Sequence, residues 1–339
     1  MNASMTSGSA PTLEMVAARA GVSRATVSRV VNGSPKVSPD VASAVHEAIA
    51  ALNYVPNRAA RSLASRRTHA IALVVPESTA RVFNDPFFAT LVQGVGLALA
   101  DTEYTLSMLL ESEAHIDKTR RYLLGGNVDG TLVVSHHTGD HSYANLSRSL
   151  PVVFGGRPLD STERVNHTVD VDNTRGATQA AEHLVERGRR RIATIAGPLD
   201  MPPGVDRLRG FADALERAGL SPAGVEHGDF SPASGAVAMR RLLERDPAID
   251  AVFAANDQMA IGAYSAIADA GRSVPHDIAV VGFDDDRYAA TAMPPLTTVH
   301  QPSVEMGAEM ARTLVRLIEG EEVPEVTLLP TSLVVREST

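Results

Sequence analysis

Cysteine is absent from all 339 residues. That excludes disulfides, thiolate metal centres and thiol redox chemistry, and it fits a reducing cytoplasm. Long apolar runs are absent too, since no stretch approaches the roughly eighteen residues that a membrane-spanning helix needs. The opening, residues 1–11, is rich in Ser, Gly, Ala and Thr, without a basic segment or an apolar one. It reads as a disordered arm and not as an export signal, so a soluble, cytoplasmic chain without membrane contact is expected. Phosphate-loop and complete dinucleotide fingerprints are missing, and Gly125-Gly126 and Gly155-Gly156 read as turns. No nucleophile, acid/base pair or cofactor motif stands at a convincing spacing, so neither an enzyme nor a cofactor is expected. His136, His137 and His141 share a loop stretch without a matching carboxylate set, which leaves no metal site.

The net charge of −9 divides unevenly. Residues 1–68 hold eight Lys/Arg against three acids, a net +5, leaving −14 for the remainder. A basic head on an acidic body suits a head that meets phosphates and a body that stays off them; a chance excess of surface arginine is the plainer alternative. Thr12 is placed to cap a helix from Leu13 to about Ala20, with Leu13, Val16, Ala17 and Ala20 on one face and Gly21 as its stop. Ser23 caps a second helix, Arg24 to Val31, that turns Val27, Val30 and Val31 inward. Two short helices joined through a Gly turn read as a helix-turn-helix. Ser38, before Pro39, caps a third through Leu52, with Val41, Val45 and Ile49 inward. The head is thus residues 12–55. Residues 56–69 read as a linker in which Asn57 caps about two helical turns; so short a helix is marginal alone and orders only against a partner. A plain basic linker is the alternative.

From Ala70 onward short β-branched runs alternate with amphipathic stretches, the pattern of parallel α/β units. Strands are expected at Ile71 to Val75, Leu106 to Leu110, Thr131 to Val134, Val152 to Phe154, Val169 to Val171, Ile192 to Ala196, Val252 to Ala254, Ile278 to Phe283, and a last one near Leu328 to Val335. Their uneven spacing favours two doubly wound sheets over a β/α barrel.

Residues 12–33 (TLEMVAARAGVSRATVSRVVNG) and 52–63 (LNYVPNRAARSL) closely resemble the head and hinge of the lactose-repressor family. The likeness runs on through NDPFF at Asn84, VDNTRGA at Val171, RLRGF at Arg207, ANDQMA at Ala255 and LTTVHQ at Leu296. The resemblance implies a DNA-binding transcriptional repressor whose grip on its operator is set by a small molecule. Its core would be built like periplasmic sugar-binding proteins, lobe 1 at about 70–168 and 296–322 and lobe 2 at about 173–286 and 328–339. The crossovers would then lie near 168–173, 286–296 and 322–328, with the last strand in lobe 2. No leucine heptads follow the core, so a homodimer and not a tetramer through a terminal coiled coil is expected, on a nearly palindromic double-stranded operator.

Side chains near the start of a recognition helix reach base edges, and Arg24, Ala25, Thr26, Ser28 and Arg29 occupy that stretch. By resemblance Arg24 and Ala25 stand at the specificity positions, while Ser23, Thr26, Ser28, Arg29 and Asn32 mix phosphate and base contacts. Thr12, Leu13, Ser38, Tyr54, Asn57, Arg58 and Ala60 complete the implied DNA set. Leu63 would wedge into the minor groove, or else pack on the partner's hinge helix. In doubly wound sheets ligands sit outside the carboxyl ends of strands. Asn256, Asp284 and Arg207 stand beyond such ends, and Phe83, Phe87 or Tyr288 would offer a stacking face. Arg207 is expected to reach across the crevice from lobe 2. The resemblance adds Gln301, the Asn84, Asp85 and Phe87 segment of the other lobe, Ser135 and Arg157. A small carbohydrate follows from this set, with a blend of motifs closest to regulators of cellobiose and related oligosaccharides; a purine-like corepressor is the alternative within the family.

Overall fold

The computed structural model describes residues 11–31, 34, 36–55, 67–110, 116–137, 145–157 and 167–339. The chain forms two units, residues 1–68 and 69–339. In the first, α1 (Leu13–Ala20), α2 (Arg24–Val31) and α3 (Pro39–Leu52) close on a small core of Val16, Val27, Val30, Val45, Ala48 and Tyr54. Their ends follow the expected chemistry. Thr12 accepts a hydrogen bond from the Met15 N–H, Gly21 takes the left-handed conformation at φ 68° that glycine adopts without strain, and the Ser23 hydroxyl accepts from the Thr26 N–H at 3.1 Å. Ser38 precedes α3 but makes no side-chain cap; Pro39 at the first turn starts that helix instead.

The second unit carries two six-stranded sheets among the described residues. The first is built from β1 (Ala70–Val75), α4 (Thr79–Asn84), α5 (Pro86–Leu99), β2 (Thr105–Leu110), α6 (Ile116–Tyr122), β3 (Gly130–Val134), β4 (Val152–Gly155) and β5 (Thr168–Val171). The chain then enters the second lobe with α7 (Asn173–Glu186), β6 (Ile192–Ala196), α8 (Pro202–Arg217), β7 (Val225–His227), α9 (Pro232–Arg245), β8 (Ala251–Ala254), α10 (Asp257–Asp269), β9 (Ala279–Asp284) and β10 (Thr297–His300). It returns for α11 (Ser303–Glu319) and β11 (Val326–Leu329) and ends on β12 (Ser332–Val334). Strand order is β2-β1-β3-β4-β5-β11 in one sheet and β7-β6-β8-β9-β10-β12 in the other. Pairing is parallel throughout except at β12, which runs antiparallel to β10. The central strands are buried on both faces, which is why β1 reads as an unbroken AIALVV.

Sheet membership corrects two of the three crossovers and both lobe boundaries drawn from the resemblance. The first crossover is at Asp172, as expected. The second is at Gln301 and Pro302, not 286–296, because Thr297–His300 is a strand of the second sheet that pairs with β9. Four residues behind Pro294-Pro295 carried too little pattern to be read as one. The third is at Pro330 and Thr331, not 322–328. Pro330 splits the expected single last strand, so β11 adds to β5 in lobe 1 and only β12 joins lobe 2. Proline has no N–H to continue a ladder. The Asp172 N–H donates to Leu329 O and the Thr331 hydroxyl to Asp172 O, so the first and third crossovers are tied together.

Helix α11 packs on α5 and on β3 to β5, as expected for lobe 1. The two helices meet glycine to backbone: a Cβ on Gly307 would stand 2.1 Å from Leu91 O, and one on Gly94 1.9 Å from Val304 O.

Candidate functional site

Both sheets reverse their strand order beside their first strand, at β1/β3 and at β6/β8, and a crevice opens outside the carboxyl ends there. Ser135 follows β3, Met201 lies beyond β6, Asn256 follows β8 and Asp284 ends β9; all four line a cavity of about 680 Å³ between the lobes.

Its floor is organised by Arg207. Helix α8 begins at Pro202, so Arg207 sits in its second turn and points inward, 4% exposed. Its guanidinium donates to Asn173 Oδ1 at 2.8 Å, Ala255 O at 2.6 Å, Gln301 Oε1 at 2.7 Å and Asp284 Oδ1 at 3.3 Å, and lies 3.6 Å from the centre of the Phe283 ring. Every one of these partners belongs to lobe 2 or its crossovers. Arg207 therefore does not reach across the crevice; it braces one wall. Burial lowers its pKa, but a guanidinium stays charged.

Carboxyl groups surround this cation. Burial pushes Asp284 up to about 8, against the pull of the Arg207 charge and with the help of Asp85 and Asp286. Asp257 lies fully buried behind it, accepting from the Thr298 hydroxyl at 2.5 Å and the Asp286 N–H at 2.8 Å, and is raised well above the usual range by burial and then by Asp284. Burial also raises Asp85 and Asp170. Burial thus favours the neutral forms of these carboxyls, so the floor presents both donors and acceptors. Asn256 has its amide engaged, accepting from the Met259 N–H as the cap of α10 and donating to Phe230 O at 3.0 Å.

Lobe 1 contributes Asp85, the cap of α5, and the half-buried Phe87 ring. The Ser135 hydroxyl donates to Glu77 Oε1 at 2.7 Å. Glu77 also receives Arg81 at 3.2 Å and His137 Nε2 at 3.1 Å. His137 Nδ1 meets Asp200 of lobe 2 at 2.7 Å, so a carboxylate on each lobe holds one imidazole. The hydrogen bond to Glu77 leads in raising His137 to about 9, with burial opposing and Asp200 reinforcing. Arg157 makes a second bridge between the lobes, to Asp206 at 2.5 Å.

Of the sequence-predicted set, Asp85, Phe87, Ser135, Arg207, Asn256, Asp284 and Gln301 come together on the cavity. Asn84 faces a neighbouring chamber. Arg157 is the bridge just described. Phe83 is 76% exposed on α4, and Tyr288, also exposed, carries the Arg287 guanidinium on its ring; neither lines the cavity. Sequence reasoning missed Arg81, Met201 and Phe230. Phe230 lies just past β7, a three-residue strand too short to show a pattern, and Arg81 lies on the unpredicted α4. It also missed the carboxylates of His137, which are remote in sequence.

On the head, Arg24, Ala25 and Arg29 are exposed and Thr26 and Ser28 half-exposed along one side of α2, while Thr12 and Ser38 are exposed at helix starts and Leu13 is partly buried. Arg24 pairs with Glu14 at 3.1 Å on the open surface, a contact readily exchanged. Ser23 shares a hydrogen bond with Thr26. The Tyr54 ring is buried in the head core, so core packing accounts for it. Asn32, Asn57, Arg58, Ala60, Leu63 and His141 lie outside the described residues. No helix among the described residues is long and apolar enough to cross a membrane, and they hold no cluster of three or more metal-ligating side chains.

Comparisons with known proteins agree with this division. A model for bacterial regulatory proteins of the lacI family matches residues 12–57, and one for a periplasmic binding protein-like domain matches residues 181–339. The HTH-type transcriptional regulator CelR of Thermobifida fusca is 50% identical over 334 residues, 97% of this chain and 98% of that protein. The ribose operon repressor of Escherichia coli is 38% identical over 303 residues, 87% of this chain and 89% of that one. Among solved structures, a complex of the transcriptional regulator CelR with cellobiose is similar at a TM-score of 0.78 and 48% identity, covering 97% of this chain and 100% of that one. The lac repressor dimer bound to operator and the anti-inducer ONPF is similar at a TM-score of 0.87 and 30% identity, covering 97% and 99%.

Proposed function

The chain belongs to the lacI family of bacterial regulatory proteins, and on that premise we propose that it is a cytoplasmic, non-enzymatic transcriptional repressor released from DNA by a carbohydrate effector. The effector is a neutral disaccharide, with cellobiose the foremost candidate from the relative solved with that sugar. The protein acts as a homodimer, and its two heads read a nearly palindromic operator. Arg24, Ala25, Thr26, Ser28 and Arg29 supply the recognition contacts, and the crevice holds the sugar.

One observation carries the effector class. The crevice floor sets the buried Arg207 guanidinium among carboxyls that burial shifts towards their neutral forms, so it offers many directed donors and acceptors and less negative charge than four carboxylates would carry. Vicinal hydroxyls fit such a floor, and the apolar faces of Phe87 and Phe230 fit the C–H face of a pyranose. Both lobes line the cavity, so a bound sugar has differential contacts with the open and closed arrangements, which is the energetic condition for switching.

The test is anisotropy of labelled operator DNA titrated with protein at fixed salt, repeated with glucose, cellobiose, lactose, hypoxanthine and guanine. Release by cellobiose and no effect of the purines is expected. Tightening by a purine would replace the sugar reading with a corepressor.

A further inference from the structure

The crevice does not end at the cavity described above. A second chamber of about 690 Å³ adjoins it and shares three of its lining residues, Arg81, Asp85 and Phe230. The boundary between the two is the Arg81 side chain, whose guanidinium lies over the Phe230 ring at 5.5 Å and reaches the Met201 sulfur at 3.8 Å. Arg81 Nη1 is anchored on the buried Glu77 at 3.2 Å, but neither of its two contacts across the boundary is strong. A cation over an aromatic ring contributes about 0.5 to 1 kcal/mol at exposed sites, and a thioether is a weak acceptor. The boundary is therefore a single side chain, tethered to lobe 1 through Glu77 and weakly held towards lobe 2, and not a wall of backbone. The Arg81 Nε donor is buried at this boundary and has no partner among the described residues, so it lacks the hydrogen bond that buried donors almost always make.

Beyond Arg81 both lobes again supply the lining. Lobe 1 offers Ser78 and Asn84, and lobe 2 offers Asp229, Ser231 and Gln258. No hydrogen bond within the described residues engages the Asn84 amide. Burial pushes the Asp229 carboxyl up, but hydrogen bonds from Ser231 and Ser234 outweigh it and hold the group below its usual range, so an ionised acceptor stands at the rim. Hydroxyl, amide and carboxylate groups spaced along a cleft, with Ala80 and Pro232 as apolar patches, repeat the chemistry of the inner cavity.

We propose that this outer chamber is a second carbohydrate subsite, reached past Arg81, that takes the third sugar ring of an effector whose first two rings fill the inner cavity. This rests on the carbohydrate reading of the inner cavity. Arg81 swings from Met201 and turns its Nε to a ring or glycosidic oxygen at the boundary. A ring in the outer chamber touches both lobes, so each added contact favours the closed arrangement and the chain reads oligosaccharide length as well as identity.

Calorimetric titration of the full-length protein with β-1,4-linked glucose oligomers of one to four rings tests this. The parent should bind the trisaccharide about fivefold to tenfold more tightly than the disaccharide, the equivalent of one or two net hydrogen bonds. The tetrasaccharide should gain little more. Ala80→Phe places a ring in the outer chamber from an exposed helical position and should reduce the step from two rings to three to less than about twofold, leaving disaccharide affinity and the thermal melt as in the parent. Equal affinity for two, three and four rings in the parent, or a step that persists in a folded Ala80→Phe variant, overturns the second subsite while leaving a sugar-binding inner cavity intact. Failure of every oligomer to bind would overturn the carbohydrate reading itself.

Discussion

Replacing Arg207 with methionine removes the guanidinium from the crevice floor while keeping most of the volume of its stem. Four acceptors lose their donor at once: the Asn173 amide oxygen, the Ala255 carbonyl, the Gln301 amide oxygen and the Asp284 carboxyl. Asn173 and Gln301 are 3% and 5% exposed, so water does not readily take the place of the lost donor. Each buried polar group left without its partner costs about 1 to 3 kcal/mol, so several left at once are a large part of the roughly 5 to 15 kcal/mol by which native proteins are stable. Arg207→Met should therefore destabilise the effector unit by at least about 3 kcal/mol. Asp284 is the group left worst placed, so Arg207→Met/Asp284→Asn should recover at least about 1 kcal/mol of that loss, the worth of relieving one unsatisfied buried group. The pH dependence carries a further sign. A carboxyl whose folded pKa is raised adds stability that is fully present below its unfolded value and is lost as pH rises towards the folded value, here from near 4 to about 8. Without the Arg207 charge the folded value rises further, so the single variant's deficit should stay level between about pH 5 and 7 and widen above 8. The chain has no tryptophan, so urea unfolding is best followed by circular dichroism at 222 nm, with the midpoint compared at equal slope. A cost below about 1 kcal/mol, or a double variant no more stable than the single, would refute the account of Arg207 as a structural brace.

Three further outcomes follow from other parts of the molecule. The imidazole bridge from Glu77 to Asp200 has a histidine raised to about 9, so its hold on the two lobes is complete below about 6.5 and lost as pH rises through 9. Effector affinity should fall severalfold between pH 7 and 9.5 in the parent by calorimetry, and the fall should be shallower in His137→Gln; identical slopes would remove the bridge from lobe closure. Arg24→Ala should weaken specific operator binding by about tenfold to a hundredfold, the range for one base-reading arginine, with an unchanged melting temperature because its Glu14 partner is exposed; a normal operator Kd would take Arg24 out of the recognition set. Gly307→Ala drives a Cβ onto the Leu91 carbonyl, and the α5/α11 pair should lose about 1 to 3 kcal/mol through overpacking, which a thermal melt would register as a clear drop.

Much of this was legible in the chain itself, and where it was not the cause is physical. The head helices end where Thr12, Gly21, Ser23 and Pro39 say they should, because caps and breakers act within one turn of where they stand. The central strands were equally plain, since burial on both faces demands runs such as AIALVV. Short edge and crossover strands were not: β7 and β10 owe their existence to the neighbours they pair with, and β11 and β12 are separated by one proline whose effect was to send the chain to a different sheet.

The site divides in the same way. Asn256 and Asp284 were found because strand ends mark the crevice in any doubly wound sheet, and Asp85 came from the family resemblance. What each does there depended on partners far along the chain. Arg207 is a brace within lobe 2 and not an arm across the crevice, because Asn173, Ala255, Asp284 and Gln301 converge on it from four separate segments. His137 looked like part of an idle histidine cluster until Glu77 and Asp200 met it from either lobe. Local spacing determined the helices of the head and the central strands, since those follow from interactions between near neighbours in sequence, while the family and several crevice residues came from the resemblance of whole motifs. Tertiary structure alone decided which buried charges are paired, which carboxyls keep their protons and where the cleft continues, because those depend on distance and burial in space, which no local pattern records.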